Sequence, residues 1–312
     1  MEEKDFIIRN GTLERYEGKG NDVVIPDCVT EIDQWAFERC WSIEKIAFPA
    51  GVTRVNALDF DECTSLADIT VDSKNPKYRS ENNCLIEKET NTLVLGGSNS
   101  IIPIGITSIG EFAFRNRQKL KNVTIPDGVI SIGEHAFRGC YGIESIVIPE
   151  SVTEIGGHAS YDDCAFSYCT SLESITVDSQ NPKYRSENNC LIEKETNMLI
   201  LGCKNSIIPD GVTCIGKLAF SGCEGLTSIT IPDGVTDIGE YAFIRCKNLV
   251  SITIPGSVTS MDSSAFGGCE KLVNITFKGT TEQFNSVAED AVFGDSVANE
   301  IVCSDDVVRI ER

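Results

Sequence analysis

Residues 226–249 read LTSITIPDGVTDIGEYAFIRCKNL, and their spacing of aliphatic residues, proline, Ala-Phe and cysteine returns about every 23 residues along the chain. The Ala-Phe pair recurs at Ala36-Phe37, Ala113-Phe114, Ala136-Phe137, Ala165-Phe166, Ala219-Phe220, Ala242-Phe243 and Ala265-Phe266, with Asp59-Phe60 as a degenerate copy. A period of this length marks one supersecondary unit per repeat, and stacked units share a core that none forms alone. Within the unit, Ile229-x-Ile231 has the two-residue period of a strand. Val235 to Ile238 suits a second short extended piece. Gly239 to Phe243 suits a turn of helix that drops Phe243 inward.

Following the strand-closing residue gives Ile25, Phe48, Val71, Ile102, Ile125, Ile148, Val177, Ile208, Ile231, Ile254 and Phe277. In eight of these eleven coils proline comes next, which takes eight of the ten prolines in the chain. Proline has no amide donor, so this column reads as a corner where each coil leaves its strand. Two steps are 31 residues long. Val71 to Pro103 matches Val177 to Pro209 at 28 of 33 positions, an offset of 106 that also maps Phe60 to Phe166 and Phe137 to Phe243. The block was duplicated in tandem. In each long unit, Cys84 to Glu87 and Leu93 to Leu95 (and their copies) flank a polar turn and predict a β-hairpin standing out from the rod. At roughly 4.8 Å per coil the two hairpins would lie about 20 Å apart on a rod on the order of 50 Å long.

The expected architecture is a single solenoid over 1–312, with an N-terminal cap at 1–22, repeats over 23–278, hairpin units at 71–103 and 177–209, and a C-terminal cap at 279–312. Caps are expected because open solenoid ends expose strand edges and core side chains.

Leu-x-x-Ile-x-Ile-Pro followed by Ala-Phe-x-x-Cys resembles the BspA-like leucine-rich repeat proteins, over roughly residues 23–278. The Asn-Pro-Lys-Tyr-Arg-Ser-Glu-Asn-Asn-Cys-Leu-Ile stretches look like the longer unit of that family. Phe277 to Phe284 is similar to its closing segment, with Phe284 in place of an expected tryptophan. The resemblance implies a leucine-rich repeat solenoid with a parallel β-sheet face and short helical or turn segments opposite. It implies a non-catalytic role in protein–protein interaction, with a secreted or surface adhesin as the alternative and a solenoid glycan-active enzyme as the remote one.

Charge bounds the partners. The chain carries 27 basic against 47 acidic residues, a formal charge of −20. Such a balance excludes a general nucleic-acid role, which needs basic stripes. No apolar run reaches membrane-spanning length. Met1-Glu2-Glu3-Lys4-Asp5 has neither a basic nor an apolar leader region, so a cytoplasmic location is expected from the chain as written, or a secreted one had a leader been removed. Cys40, Cys63, Cys140, Cys169, Cys223, Cys246 and Cys269 occupy one repeat position, where Arg117 replaces the thiol in one coil. One per coil, they read as buried free thiols packed under the strands, which suit a reducing compartment.

Motifs for chemistry are absent: no Walker loop, dinucleotide signature, nucleophile elbow or zinc spacing occurs. No cofactor or metal is expected. His135 falls at a variable turn position. His158 lies in a six-residue insertion beside Asp162 and reads as a loop bulge, and Asp59-x-Asp61-Glu62 reads as a solvated turn. Candidate partner-binding residues are therefore surface ones. They are the hairpin residues Tyr78, Arg79 and Lys88 with their copies Tyr184, Arg185 and Lys194, and the outward threonine ladder through Thr124, Thr176, Thr230 and Thr253. That ladder lacks the aromatic and arginine anchors of binding hot spots.

Overall fold

The structure, a computed structural model, describes residues 5–156, 164–288, 293 and 296–309. Each standard coil contributes a first strand such as Ser251–Ile254, turns at proline, and adds a two-residue second strand such as Ser260–Met261. Like strands stack in parallel and in register, so that Ile229, Ile252 and Ile275 form one buried row. Translation by one coil places each side chain on its own copy, which is why a column read along the chain becomes a line in space.

The aromatic column shows this most clearly. Phe220, Phe243 and Phe266 stack with ring centroids 4.9 and 5.2 Å apart and planes within 6°. Phe114, Phe137 and Phe166 do the same at 5.1 and 5.2 Å. Stacked pairs contribute roughly 0.5–1.5 kcal/mol each beyond burial. The thiol column lies beside it: the Sγ atoms of Cys140, Cys246 and Cys269 donate to the carbonyls of Phe114, Phe220 and Phe243 at 3.0–3.2 Å. All the cysteines are free, and six of the seven in this column are buried, Cys40 being half-buried.

The Ala-Phe segments are turns and not helices, save the degenerate copy, where Ala57–Phe60 forms a 3-10 turn. Tyr241 and Arg245 both have φ 56°, left-handed geometry that a right-handed helix cannot contain. Alternate amides of the segment turn sideways instead: Tyr241 N donates to Ser264 Oγ (3.3 Å), Phe243 N to Ala265 O (2.8 Å) and Arg245 N to Gly267 O (2.7 Å) in the next coil. Among the described residues the α-helix is Thr281–Val287, started by a reciprocal Thr280–Gln283 capping box.

The two long units depart from the expected picture of hairpins standing clear of the rod. Each forms an antiparallel three-stranded meander, Tyr78–Glu81, Cys84–Glu87 and Thr92–Gly96 in the first, Tyr184–Glu187, Cys190–Glu193 and Met198–Leu201 in the second. The meander then continues into the sheet of second strands through Thr92–Gly96 and Ser108–Ile109. Its middle strand is buried on both faces. Leu85 packs in the core of the first coils, while Cys84 and Ile86 pack in the core that follows. An unbroken Cys-Leu-Ile run is the pattern of a strand covered on both sides. The meander is thus a partition, and the sheet of first strands is cut there into three pieces.

At each partition a glycine takes the place of a ring. Gly96 N donates to Ala113 O as a repeat phenylalanine would, and a Cβ on Gly96 would lie 1.9 Å from the Phe114 ring. Gly202 repeats this under Phe220, at 2.1 Å. Both ends of the stack are closed. At the start, the hairpin Phe6–Arg9 and Thr12–Tyr16 sets Tyr16 against Phe37. At the other end Phe284 packs edge-on to Phe277, Phe293 stacks on Phe266, and the hairpin Glu300–Val302 with Val307–Arg309 extends the last sheet.

Candidate interaction faces

The threonine ladder is where the repeat puts it. Thr124, Thr176 and Thr230 are exposed and Thr253 is half-buried. The partitions break the ladder, however, into Val24–Ala47–Thr70, Thr124–Val147–Thr176 and Thr230–Thr253–Thr276. Neither an aromatic ring nor an arginine stands among these outward residues.

The hairpin candidates turn inward. Tyr78 and Tyr184 are 3% and 1% exposed, so the expectation that they face a partner does not hold. Each phenol reaches the backbone of the coil before: Tyr78 Oη accepts from Val55 N (3.3 Å), and Tyr184 Oη donates to Thr153 O (3.5 Å). Burial also pushes the Tyr184 hydroxyl pKa up. Lys88 and Lys194 donate to the carbonyls of Asn75 and Asn181. Arg79 pairs with Glu81, and Arg185 with Glu187 (2.8 Å) and Asn197 (3.2 Å). These residues hold the unit together.

At the root of each unit sits a buried asparagine. Asn181 Nδ2 donates to Pro149 O and Val152 O, both at 2.8 Å, while its Oδ1 accepts from Lys183 N (3.0 Å) and Tyr184 N (2.7 Å). Asn75 makes the same four bonds. The acidic Asp59-x-Asp61-Glu62 is likewise no solvated turn. Asp59 is buried, caps its own turn by accepting from Asn56 N, and has its pKa raised to about 6, chiefly by burial. Asp61 binds Arg115 and Asn116.

The surface aromatics and arginines gather on the turn side, between the second strand of one coil and the first strand of the next. Trp35 and Trp41 are 61% and 57% exposed, and Tyr141 stands in the column of Trp41. Trp35 walls a cleft of about 190 Å³ with Phe37, Leu58, Asp59 and Arg115. Farther along, the guanidinium carbons of Arg138 and Arg245 lie 5.4 and 5.8 Å from the centre of the Tyr168 ring. His135, buried, stacks on Phe112 at 4.9 Å. Some residues of these turns, Phe112, His135, Tyr168, Tyr241 and Arg245 among them, take left-handed geometry. Lining up the residues around Ala-Phe, coil by coil, is the reading that could have found this face. His158 and Asp162 lie outside the described residues. Among those described, no group of three or more His, Cys, Asp or Glu could hold a metal ion, and no helix is long and apolar enough to cross a membrane.

A family model described as a BspA type leucine rich repeat region matches six copies, over residues 15–93, 96–196 and 192–312. The chain belongs to the BspA-type leucine-rich repeat family. Solved structures similar to this repeat protein include a leucine-rich repeat protein from Eubacterium ventriosum, at 22% identity and TM-score 0.53, with 88% of this chain and 64% of that one covered. A leucine rich cell surface protein from Faecalibacterium prausnitzii is 25% identical at TM-score 0.48, with 91% and 95% covered. No curated protein matches the chain. The likeness to the first of these structures is one of fold.

Proposed function

We propose that this leucine-rich repeat protein is a non-catalytic binding protein whose partner is another protein, held on the turn side of the solenoid. One observation carries the reading: Trp35, Trp41, Tyr141, Tyr168, Arg138 and Arg245 share that side, while the outward strand positions carry threonine, serine, valine, alanine and scattered residues such as Lys45, Asp68 and Asn274, with no aromatic ring or arginine. Tryptophan, tyrosine and arginine are enriched among the residues that carry most binding energy, and the two aromatics bury large area at low entropic cost. A rigid solenoid presents them at fixed spacing.

The test compares two sets of substitutions for capture of proteins by the immobilised chain. Trp35→Ala with Trp41→Ala, and Tyr168→Ala with Arg245→Ala, are expected to lower capture at least tenfold. Thr230→Glu with Thr253→Glu is expected to leave it intact. Loss confined to the strand-face pair would move the site there, and retention in every variant would remove both faces.

A further inference from the structure

The two partitions arose by duplication, yet the joints they make are chemically unequal. At the first joint, Arg115-Asn116-Arg117 reaches back over the whole hairpin unit. Arg117 is buried, and its guanidinium donates from Nε to Gly96 O (2.9 Å), from Nη1 to Cys63 O (3.2 Å) and from Nη2 to Phe60 O (3.2 Å). Beside it, Arg115 Nε lies 3.1 Å from Asp61 Oδ1, and Asn116 Nδ2 donates to the same oxygen at 2.8 Å. The bonds from the Arg117 guanidinium and the bond from Asn116 to the Asp61 carboxylate are charge-assisted, the stronger kind.

The offset of 106 puts Ser221-Gly222-Cys223 at the second joint where Arg115-Asn116-Arg117 stand at the first, and Ser167 where Asp61 stands. Ser167 Oγ donates to Cys164 O in its own coil (2.7 Å), and Ser221 Oγ is buried without a partner. Among the described residues, no side chain of Ser221 or Cys223 is hydrogen-bonded back to the coil that ends at Val177. The aromatic ladder stops at both joints, Phe60 to Phe114 and Phe166 to Phe220, so ring stacking does not compensate. On the surface, Arg245 lies over Tyr168 across the second joint at 5.8 Å, an exposed contact of modest strength.

We infer that the solenoid opens at its second joint, the block from Phe220 onward parting from the one before it while the first joint stays shut. Opening separates Arg245 from Tyr168, and so splits the turn-side row of Arg138, Tyr168 and Arg245. The joint would then be a point at which that face is made or broken. The inference about opening rests on the joint alone and stands whether or not that face binds a protein.

Two amides make a matched test. Gly96 N and Gly202 N each follow a leucine and each donate to an alanine carbonyl, Ala113 O and Ala219 O, at 2.8 Å. Their intrinsic exchange rates are therefore alike, and any difference reports opening. In the full-length wild-type chain, hydrogen exchange resolved to single residues should be at least tenfold faster at Gly202. Arg117→Met should bring Gly96 up to the rate of Gly202 and leave Gly202 unchanged. Equal rates in the wild type would overturn the inference, as would an Arg117→Met chain in which Gly96 stays as protected as before. If that variant does not fold, the wild-type comparison decides by itself.

Discussion

Asn181 and Asp59 show how much one side chain can decide in a repeat fold. Asn181 is fully buried and satisfies two carbonyls and two amides at once. Replacing it with alanine strands four backbone groups, each costing about 1–3 kcal/mol when buried unpaired. Asn181→Ala should therefore lose at least about 3 kcal/mol in a urea melt, and a loss under about 1 kcal/mol would show that water takes over these bonds. Asp59 stands where seven other coils have alanine. Its folded pKa of about 6 lies above the ordinary carboxylate value of 3.8, so its stabilising contribution is complete below pH 3.8 and fades as pH rises through about 6. Asp59→Asn keeps an acceptor for Asn56 N without the charge. The variant should match the wild type near pH 4 and exceed it by about 2 kcal/mol at pH 7; parallel stability curves across that range would contradict the assignment.

At the scale of the element, the columns behave as units. Burial raises the pKa of Cys63 and Cys140 to about 12, and that of Cys246 well above its usual value. Buried and un-ionised, these thiols should resist a maleimide in the native protein and react once it is denatured, whereas exposed Cys28 should react at once. Peptide mapping after timed labelling reads the order directly. The partition glycines obey a stricter rule. Gly202→Ala would drive a methyl group into the Phe220 ring, and overpacking of this sort costs typically 1–3 kcal/mol. The same change at Gly211, whose added Cβ would meet nothing within 4 Å, leaves only the strain of φ 89°. Gly202→Ala should also raise amide exchange at Phe220, which the Gly211 change should not.

For the whole molecule, stability is expected to depend on closed ends. Phe284, Phe293 and Ile301 belong to the same core as Phe266, Ile275 and Phe277, which they cover. A chain ending at Lys278 leaves those residues and the strand Asn274–Phe277 open to solvent. It should aggregate, seen as light scattering at concentrations where the full chain stays clear. A truncated chain equal to the whole in heat stability and clarity would deny the last segment its capping role.

The period, the inward rows of isoleucine and phenylalanine, the proline corners and the thiol column are all legible in the sequence, because stacking places each residue beside its own copy one coil away. That regularity ends at the partitions. Tyr78 and Tyr184 read as surface residues since a hairpin was expected to stand free, but an apolar residue at every position of Cys84-Leu85-Ile86 lets both faces of the strand be buried. Likewise, nothing in the repeat announces that Asn116 meets Asp61, or Arg117 meets Phe60, across more than fifty residues. Those pairings follow from which coils the meander brings together, and the left-handed turns follow from amides that bond sideways to the next coil. Spacing along a chain dictates contacts between neighbouring copies; where the copy is interrupted, packing in three dimensions chooses the partner.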